Sequence, residues 1–221
     1  MTRATAPAYK GIGMEGWIAT WYAALTRKGI EDFRTLAREV SDGLPPQASV
    51  LEVAPGPGYF AIELAKLGPY QITGLDISRT FVKMATRNAR EAGVSVNFRH
   101  GNASVMPFAG DSFDFLLCRA AFKNFAQPLE ALREIYRILK PGGRALIIDL
   151  RRDSSRESIS RFVDTMGLGR VNAFLTKLIF RHSLLKRAYT SGEINELLAQ
   201  TNFGAGRIRE TLTGMEIRLV K

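Results

Sequence analysis

A regular alternation of short apolar segments with amphipathic segments, running over about one hundred residues, constrains this chain most. Five apolar segments have the length and composition of buried β-strands: 49–53, 71–75, 94–99, 113–118 and 145–150. The spacing of apolar residues between them predicts helices near 59–67, 79–92 and 128–139. Strands that alternate with helices of this length indicate parallel βαβ units. We therefore predict a doubly wound α/β domain.

The remaining segments are predicted to decorate this core, because 221 residues favour one domain. We expect an N-terminal helical cap over 1–45, the alternating core over 46–150, a helical insertion over 151–189, and a C-terminal helix and β-hairpin over 190–221. Thr190 and Glu193 have the spacing of a capping box, which predicts the start of the C-terminal helix.

Composition excludes several classes of protein. One Cys and two His exclude a disulfide framework and a Cys/His zinc cluster, and we expect no metal site. No apolar run approaches the roughly 20 residues of a membrane-spanning helix. The first residues contain no apolar signal segment, so we expect a cytoplasmic protein.

The strongest local signal is the glycine-rich turn that follows the first core strand, Glu52-Val53-Ala54-Pro55-Gly56-Pro57-Gly58. Glycines let the backbone approach a ligand closely, and the helix that follows offers free N–H groups. Asp76 ends the next strand, twenty residues after Gly56, where a carboxylate can accept hydrogen bonds from both hydroxyls of a ribose. The two features together predict a nucleoside-containing cofactor at the carboxyl ends of the strands.

A dinucleotide is the first alternative, since Gly56 to Ala61 also fits the GxGxxA fingerprint. Glu52 argues against it, because its negative charge suits a cationic ligand better than a pyrophosphate. The chain also leaves little length for a separate substrate domain. A nicotinamide-dependent oxidoreductase nevertheless stays open at this point.

The chain resembles the class I S-adenosylmethionine-dependent methyltransferases, in the group that includes ubiquinone- and menaquinone-precursor methyltransferases. The blocks that carry the resemblance follow in order at 52–58, 74–78, 101–103, 106–108, 112–114 and 139–143. The resemblance implies a Rossmann-like seven-stranded sheet with an antiparallel strand near the C-terminus. It also implies S-adenosyl-L-methionine as the cofactor.

The resemblance further implies a cofactor site after the carboxyl ends of the first four strands. Its members would be Glu52, Ala54, Pro55, Gly56, Gly58, Asp76, Ile77, Asn102, Ala103, Cys118 and Arg119. The glycine-rich turn would surround the methionine moiety with Glu52 beneath it, and Asp76 would hold the ribose. Asn102, Ala103 and Ile77 would contact the adenine. Cys118 and Arg119 would lie near the reacting methyl group.

The chain departs from the pattern of these methyltransferases at three places. Ala54 replaces the usual first glycine, and Asn102 stands where an acidic residue is common. Phe122-Lys123-Asn124 occupies the position at which relatives often carry His. A mechanism that depends on that His is therefore in doubt for this chain.

No catalytic residue is assigned from the sequence. Methyl transfer is an in-line displacement in which positioning supplies most of the acceleration, although a general base helps acceptors that lose a proton. The candidate groups are His182, His100, Lys123, Tyr22 and Tyr189. The segment 118–122 contains no Asn-Pro-Pro-aromatic motif, which favours a small acceptor that takes the methyl on O, S or C.

The insertion 151–189 carries nine basic and three acidic residues, and so holds +6 of the net charge of +10. One predicted helical face is apolar: Val171, Phe174, Leu175, Leu178, Ile179 and Leu185. Beside it lie Arg170, Lys177 and Arg181. This pattern predicts either a helix packed on its own domain or a lid over a lipophilic acceptor in peripheral contact with an anionic membrane.

Two further alternatives remain open. The positive charge would also suit a nucleic-acid methyltransferase, although no RNA-binding module is recognisable. The chain could instead be a non-catalytic cofactor-binding subunit. The sequence predicts neither the acceptor nor the oligomeric state.

Overall fold

The computed structural model describes residues 9–10, 13–164, 169, 174, 176–178 and 184–221. Its helices are α1 (Gly16–Arg27), α2 (Ile30–Ser41), α3 (Tyr59–Ala65), α4 (Arg79–Glu91), α5 (Pro128–Ile138), α6 (Arg156–Asp164), α7 (Leu185–Arg187) and α8 (Ser191–Ala199). Its strands are β1 (Ser49–Val53), β2 (Gln71–Asp76), β3 (Asn97–His100), β4 (Phe113–Arg119), β5 (Leu139–Leu150), β6 (Arg207–Glu210) and β7 (Gly214–Val220).

All seven strands form one sheet in the order β3-β2-β1-β4-β5-β7-β6. The first five strands are parallel, and β7 runs antiparallel to both β5 and β6. The strand order reverses between β1 and β4, and in sheets of this kind the carboxyl ends at such a reversal form a ligand-binding crevice. The predicted Rossmann-like fold with an antiparallel C-terminal strand is confirmed.

Apolar side chains cover both faces of the sheet, as expected for central parallel strands. On one face, Ile135 of α5 and Leu198 of α8 pack in a cluster with Leu116 of β4. On the other face, Phe60 and Leu64 of α3 pack with Val50 of β1. The core strands are therefore held rigidly, and their carboxyl ends form a fixed platform.

Two strands differ from their predicted bounds. β5 begins at Leu139 rather than at 145, because Leu139 pairs with Phe113 before a bulge that contains Pro141 and Gly142. The prediction left 140–144 between a helix and a strand, whereas the strand accommodates these residues as a bulge, with Gly142 at φ +77°. β3 pairs only over Asn97–His100 and lies at the edge of the sheet.

The capping box predicted at Thr190 is present, since its hydroxyl accepts from the Glu193 amide while the Glu193 carboxylate accepts from the Thr190 amide. Half of the predicted apolar face of the insertion (Val171, Leu175 and Ile179) lies outside the described residues, as do Arg170 and Arg181 of the basic stripe. Of the other half, Phe174 and Leu178 are exposed and Leu185 is buried. Among the helices that the structure describes, none combines the length and the apolar character needed to cross a membrane.

Candidate cofactor and acceptor site

The turn after β1 leaves open space above its backbone. Gly56 has φ +55°, and a side chain built there would come no closer than 4.0 Å to its nearest neighbours, the rings of Phe81 and Tyr22. Gly58 is different, because a Cβ there would lie 2.7 Å from the ring of Phe98. Gly58 therefore permits the close packing of α3, whereas Gly56 leaves its backbone approachable by a ligand.

Ala54, which occupies the position of the usual first glycine, adopts left-handed backbone geometry with φ +56°. Its N–H donates to the carbonyl of Leu75 at 2.8 Å, which ties the turn to the end of β2. Non-glycine residues are rare in this region of backbone space because the Cβ crowds the carbonyl oxygen. The turn therefore keeps the left-handed backbone conformation that is usual for glycine, although residue 54 is an alanine.

Asp76 is buried at the end of β2 and faces the same turn. Its Oδ2 accepts from the Gly56 amide at 3.0 Å, and its Oδ1 accepts from the Ser78 amide at 2.8 Å. Burial raises the pKa of Asp76 to about 6, although these two amides favour its ionised form. Each oxygen keeps a second lone pair, so the carboxylate can still accept from two neighbouring hydroxyls of a ribose.

Glu52 is buried beneath the turn, where its Oε2 accepts from the Ala61 amide of α3 at 3.1 Å. Burial raises the pKa of Glu52 to about 8, an effect that Asp76 increases and Arg119 opposes. A buried carboxylate with this pKa favours a cationic partner, because a nearby positive charge compensates for its lost hydration. The ammonium of a methionine moiety is such a partner.

Cys118 and Arg119 end β4 but lie in different surroundings. The thiol of Cys118 is fully buried among core side chains, and burial raises the pKa of this thiol strongly. The guanidinium of Arg119 lies 4.2 Å from the ring centroid of Phe33, and its buried Nη1 has no hydrogen-bond partner among the described residues. Of the two, Arg119 therefore directs a polar group towards the cap, whereas the side chain of Cys118 belongs to the core.

The two predicted adenine contacts lie in the loop after β3. The side-chain oxygen of Asn102 accepts from the Ser104 amide at 2.9 Å, which forms a local turn and leaves one lone pair for a ligand. Ala103 packs against the main core cluster. Ile77, directly after Asp76, is partly exposed, as a residue that packs on a ligand would be.

The N-terminal cap is tied to the start of α4, beside Asp76. The carboxylate of Glu15 accepts from the amides of Arg79 at 2.9 Å and Thr80 at 3.1 Å, while the hydroxyl of Ser78 donates to the carbonyl of Met14 at 2.5 Å. These contacts place α1 over the carboxyl end of β2. They join residues about 64 positions apart, and no local sequence pattern indicated them.

A second group of contacts ties the chain before α1 to the far side of the site. Tyr9 pairs with Phe125 in an antiparallel bridge, and the Lys10 amide donates to the carbonyl of Asn124 at 2.7 Å. The ammonium of Lys10 donates to the hydroxyl of Tyr189 at 3.1 Å. Tyr9 was not among the predicted site residues, because it lies in a segment without helical or strand periodicity.

Tyr22 extends from α1 towards the glycine turn. Its ring meets that of Phe81 edge to face at 5.9 Å, and burial raises the pKa of its phenol. Tyr189 lies across the site, where its ring centroid is 5.7 Å from that of Phe122. Tyr22 thus lies beside the glycine turn, and Tyr189 lies beside the turn that follows β4.

Lys123 lies in the 3-10 turn that follows β4 and is bound to Asp149 of β5. Its Nζ donates to Oδ1 of Asp149 at 2.7 Å and to the carbonyl of Ala120 at 2.7 Å. Its backbone N–H donates to Oδ2 of the same carboxylate at 2.8 Å. The sequence singled out Lys123 and missed Asp149, whose partner is 26 residues away.

The structure describes one of the two histidine candidates. His100 ends β3 and is exposed, paired in register with Asp76. His182 lies outside the described residues. A surface cavity of about 500 Å³ lies at the amino end of the sheet, next to Asp111, Arg137 and Lys221, and its lining contains no predicted site residue.

The segment that contains the glycine turn and Asp76 is similar to known proteins. Residues 51–147 match the family described as a methyltransferase domain. Demethylmenaquinone methyltransferase of Deinococcus radiodurans is 38% identical over 101 residues, covering 45% of this chain and 42% of the relative. The uncharacterized methyltransferase YcgJ of Bacillus subtilis is 38% identical over 103 residues, covering 45% of this chain and 40% of that protein. The match thus spans about two fifths of the length of these curated relatives.

A solved structure extends the likeness to the whole fold. A Methanococcus maripaludis protein assigned to the S-adenosyl-L-methionine-dependent methyltransferases superposes with a TM-score of 0.76 and 19% identity, covering 98% of this chain and 97% of that chain. At this identity the similarity concerns the fold. Together with the domain match it confirms the predicted resemblance: residues 51–147 are similar to the methyltransferase domain family, and this similarity implies S-adenosyl-L-methionine as the cofactor.

Proposed function

We propose that this chain transfers the methyl group of S-adenosylmethionine to O, S or C of a small, lipophilic or aromatic acceptor of the quinone-precursor kind. The observation that carries the proposal is the contact between the buried carboxylate of Asp76 and the amide of Gly56, beneath an open stretch of backbone. Relatives named demethylmenaquinone methyltransferase support the class of acceptor.

The residues at the strand ends fit this cofactor. Asp76 would hold the ribose hydroxyls, Gly56 would leave room for the ligand at the backbone, and Glu52 would balance the ammonium charge. When bound, the cofactor supplies a methyl group already activated by its sulfonium. The chain then has to orient the acceptor in line with that methyl group and exclude water, which is where most of the acceleration arises.

Aromatic rings support an aromatic or apolar acceptor at the ends of β4 and β5. Phe122 follows β4 and contacts Phe125, with ring centroids 5.4 Å apart. Tyr189 pairs with Arg151 after β5, and its ring contacts Phe122. Phe122 and Phe125 are buried in the core, and Tyr189 is the partly exposed ring of this group, so its face is the aromatic surface that a planar apolar acceptor would contact.

The protonation of the candidate bases limits their roles. Burial keeps Tyr22 a neutral phenol, which can position an acceptor by hydrogen bonding but is a poor base. The ammonium of Lys123 is bound by Asp149 and the carbonyl of Ala120, so it acts in this proposal as a structural cation. The general base therefore remains unassigned, and the predicted lid over 151–189 remains a prediction.

The alternatives receive less support from the structure. In the common dinucleotide-binding sheet the strand order is 3-2-1-4-5-6. Here an antiparallel β7 lies between β5 and β6. Matches to a methyltransferase domain likewise disfavour a nicotinamide-dependent oxidoreductase. A nucleic-acid methyltransferase has only the positive charge in its favour.

Calorimetric titration tests the cofactor directly. We expect S-adenosylhomocysteine to bind and NADH not to bind. Asp76→Asn should weaken S-adenosylhomocysteine at least about tenfold, because an amide NH₂ replaces one of the acceptor oxygens. Asp114→Asn, at the opposite end of the sheet, is the matched control and should leave the affinity unchanged. Binding of NADH instead, or equal effects of the two variants, would refute the proposed site.

A further inference from the structure

Helix α1 directs its largest apolar side chains outward. Trp17, Trp21 and Leu25 are 78%, 60% and 49% exposed, whereas Ala19 and Ala23 are buried against the domain. The three large residues follow the i, i+4, i+8 spacing of a single helical stripe. A surface helix usually turns its large apolar residues towards the core. In α1 these residues face the solvent instead.

The side of α1 that faces the domain already makes hydrogen bonds to it. The hydroxyl of Tyr59 donates to the carbonyl of Ala23 at 3.1 Å, and the amide of Gly16 donates to Thr80 Oγ1 at 3.1 Å. These small residues allow the helix to lie close to the domain. The stripe therefore cannot turn inward without breaking those contacts, and the chain's only two tryptophans both stay in solvent.

The charged side chains of α1 and of Lys28 at its C-terminal end have one sign, whereas the exposed Glu31 and Asp32 belong to α2. No acidic residue occurs between Gly16 and Lys28, and the carboxylate of Glu15 is bound to the start of α4. Arg27 and Lys28 are exposed at the end of the helix, and the ion pairs formed by the described residues include neither of them. The whole chain carries a net charge of +10.

This combination indicates which partner the stripe suits. Two copies of a chain with a charge of +10 repel each other, which disfavours self-association through this face. Tryptophan rings favour the boundary between lipid headgroups and acyl chains, and basic residues beside an apolar helix face attract anionic lipids. An anionic bilayer surface matches both the apolar character of the stripe and the sign of its charge.

We propose that α1 docks on anionic membrane surfaces, with Trp17, Trp21 and Leu25 at the headgroup boundary and Arg27 and Lys28 among the headgroups. The docking surface in this proposal is α1, and membrane contact through the basic insertion 151–189 stays a separate prediction. Beside the stripe on the same helix, Tyr22 approaches the glycine turn, so docking brings the candidate site close to the lipid. The proposal concerns binding alone and does not depend on methyl transfer.

Intrinsic fluorescence tests this proposal, because both tryptophans lie on the stripe. Vesicles of equal parts phosphatidylglycerol and phosphatidylcholine should shift the tryptophan emission to shorter wavelength and protect it from acrylamide. Vesicles of pure phosphatidylcholine should have little effect. No shift with the anionic vesicles, or an equal shift with both compositions, would overturn the proposal.

Co-sedimentation with the same anionic vesicles measures separately how much the tryptophans and the cations of α1 contribute to binding. Trp17→Ser/Trp21→Ser should weaken binding at least about tenfold, since binding scales with the apolar area that is buried. Arg27→Gln/Lys28→Gln should weaken it about fivefold per cation at low salt. The matched control, Val105→Ser/Val220→Ser, removes two equally exposed apolar side chains elsewhere and should bind as the wild type does.

Sedimentation velocity without lipid completes the test. The wild type should be monomeric at concentrations that saturate vesicle binding, and the melting temperature of the tryptophan variant should match that of the wild type. A wild-type dimer that Trp17→Ser/Trp21→Ser converts to monomer would show that the stripe is an interface between copies, and would overturn membrane docking. Retained vesicle binding by a folded Trp17→Ser/Trp21→Ser variant would also overturn it.

Discussion

The ammonium of Lys123 lies 2.7 Å from the carboxylate of Asp149, and both side chains are buried. The pair joins the turn after β4 to the end of β5, next to the candidate acceptor site. Asp149 also accepts from the backbone amides of Lys123 and Leu150. The carboxylate thus organises the two strand ends, and the lysine neutralises it there.

Lys123→Met should therefore be strongly destabilising, by about 3–5 kcal/mol, because it leaves the charge of Asp149 buried without its partner. Urea unfolding measures this free energy. The control is Lys140→Met, which breaks a partly exposed pair with Asp114 at the same 2.7 Å distance and should cost less than about 1 kcal/mol. Equal losses in the two variants would show that Lys123 and Asp149 do not depend on each other as described.

Ala54→Gly should stabilise the protein by about 0.5–1 kcal/mol. Relief of the left-handed backbone strain is worth roughly 1–2 kcal/mol, and the greater freedom of glycine in the unfolded chain offsets part of this. Ala24→Gly, at an exposed position in α1, is the control and should be destabilising by about 0.5–1 kcal/mol. If both variants lose stability in urea unfolding, Ala54 is not strained.

Glu52 should make the ligand-free protein less stable as pH rises towards 8. Its pKa is raised by burial from 4.5 to about 8, so between these values the folded state holds a proton that the unfolded state has released. Stability therefore decreases by up to about 1.4 kcal/mol per pH unit in this window. Asp76, with its pKa raised to about 6, adds a similar slope only at lower pH.

Glu52→Gln should remove this slope above about pH 6.5, where Asp76 no longer contributes. Unfolding free energies measured at several pH values give the comparison with the wild type. Glu91→Gln, an exposed carboxylate on α4, should leave the slope as it is. A wild-type slope that survives in Glu52→Gln would mean that another group is responsible.

Glu15→Gln should loosen the N-terminal cap. Although burial opposes ionisation, hydrogen bonds from Thr80 and Arg79 hold the pKa of Glu15 below its ordinary value. Removing a charge at the start of α4 should cost about 0.3–1 kcal/mol of stability. We also expect faster dissociation of S-adenosylhomocysteine in stopped flow. Glu196→Gln, an exposed residue in the middle of α8, should change the stability by less than about 0.5 kcal/mol and leave the dissociation rate unchanged.

Local pattern was sufficient to predict the core of this fold. Strand β1 was predicted with the bounds that the structure shows, and the glycine turn and Asp76 were both predicted at the carboxyl ends of the strands, although their direct hydrogen bond was not. Both results rest on periodicity and short-range turn chemistry, which the sequence displays directly. The pairing of the last two strands was likewise visible as alternating residues around a turn.

Contacts between distant segments were beyond such reasoning. Nothing near Glu15 indicates that it binds the start of α4, and nothing near Lys123 indicates Asp149. Helical spacing placed Trp17 and Trp21 on a helix, but spacing alone does not tell which face packs against the domain. Such contacts and helix orientations depend on how the helices and strands pack against one another in the folded chain.

Methyl transfer itself is the most direct test of the proposed function. The purified protein would be incubated with methyl-labelled S-adenosylmethionine and a membrane-containing cell extract, and the products divided into organic-soluble, aqueous and acid-precipitable fractions. We predict label in the organic fraction with the wild type and at least about tenfold less with Asp76→Asn. Label that appears chiefly in precipitated RNA or protein would contradict the small lipophilic acceptor, and transfer unaffected by Asp76→Asn would contradict the site.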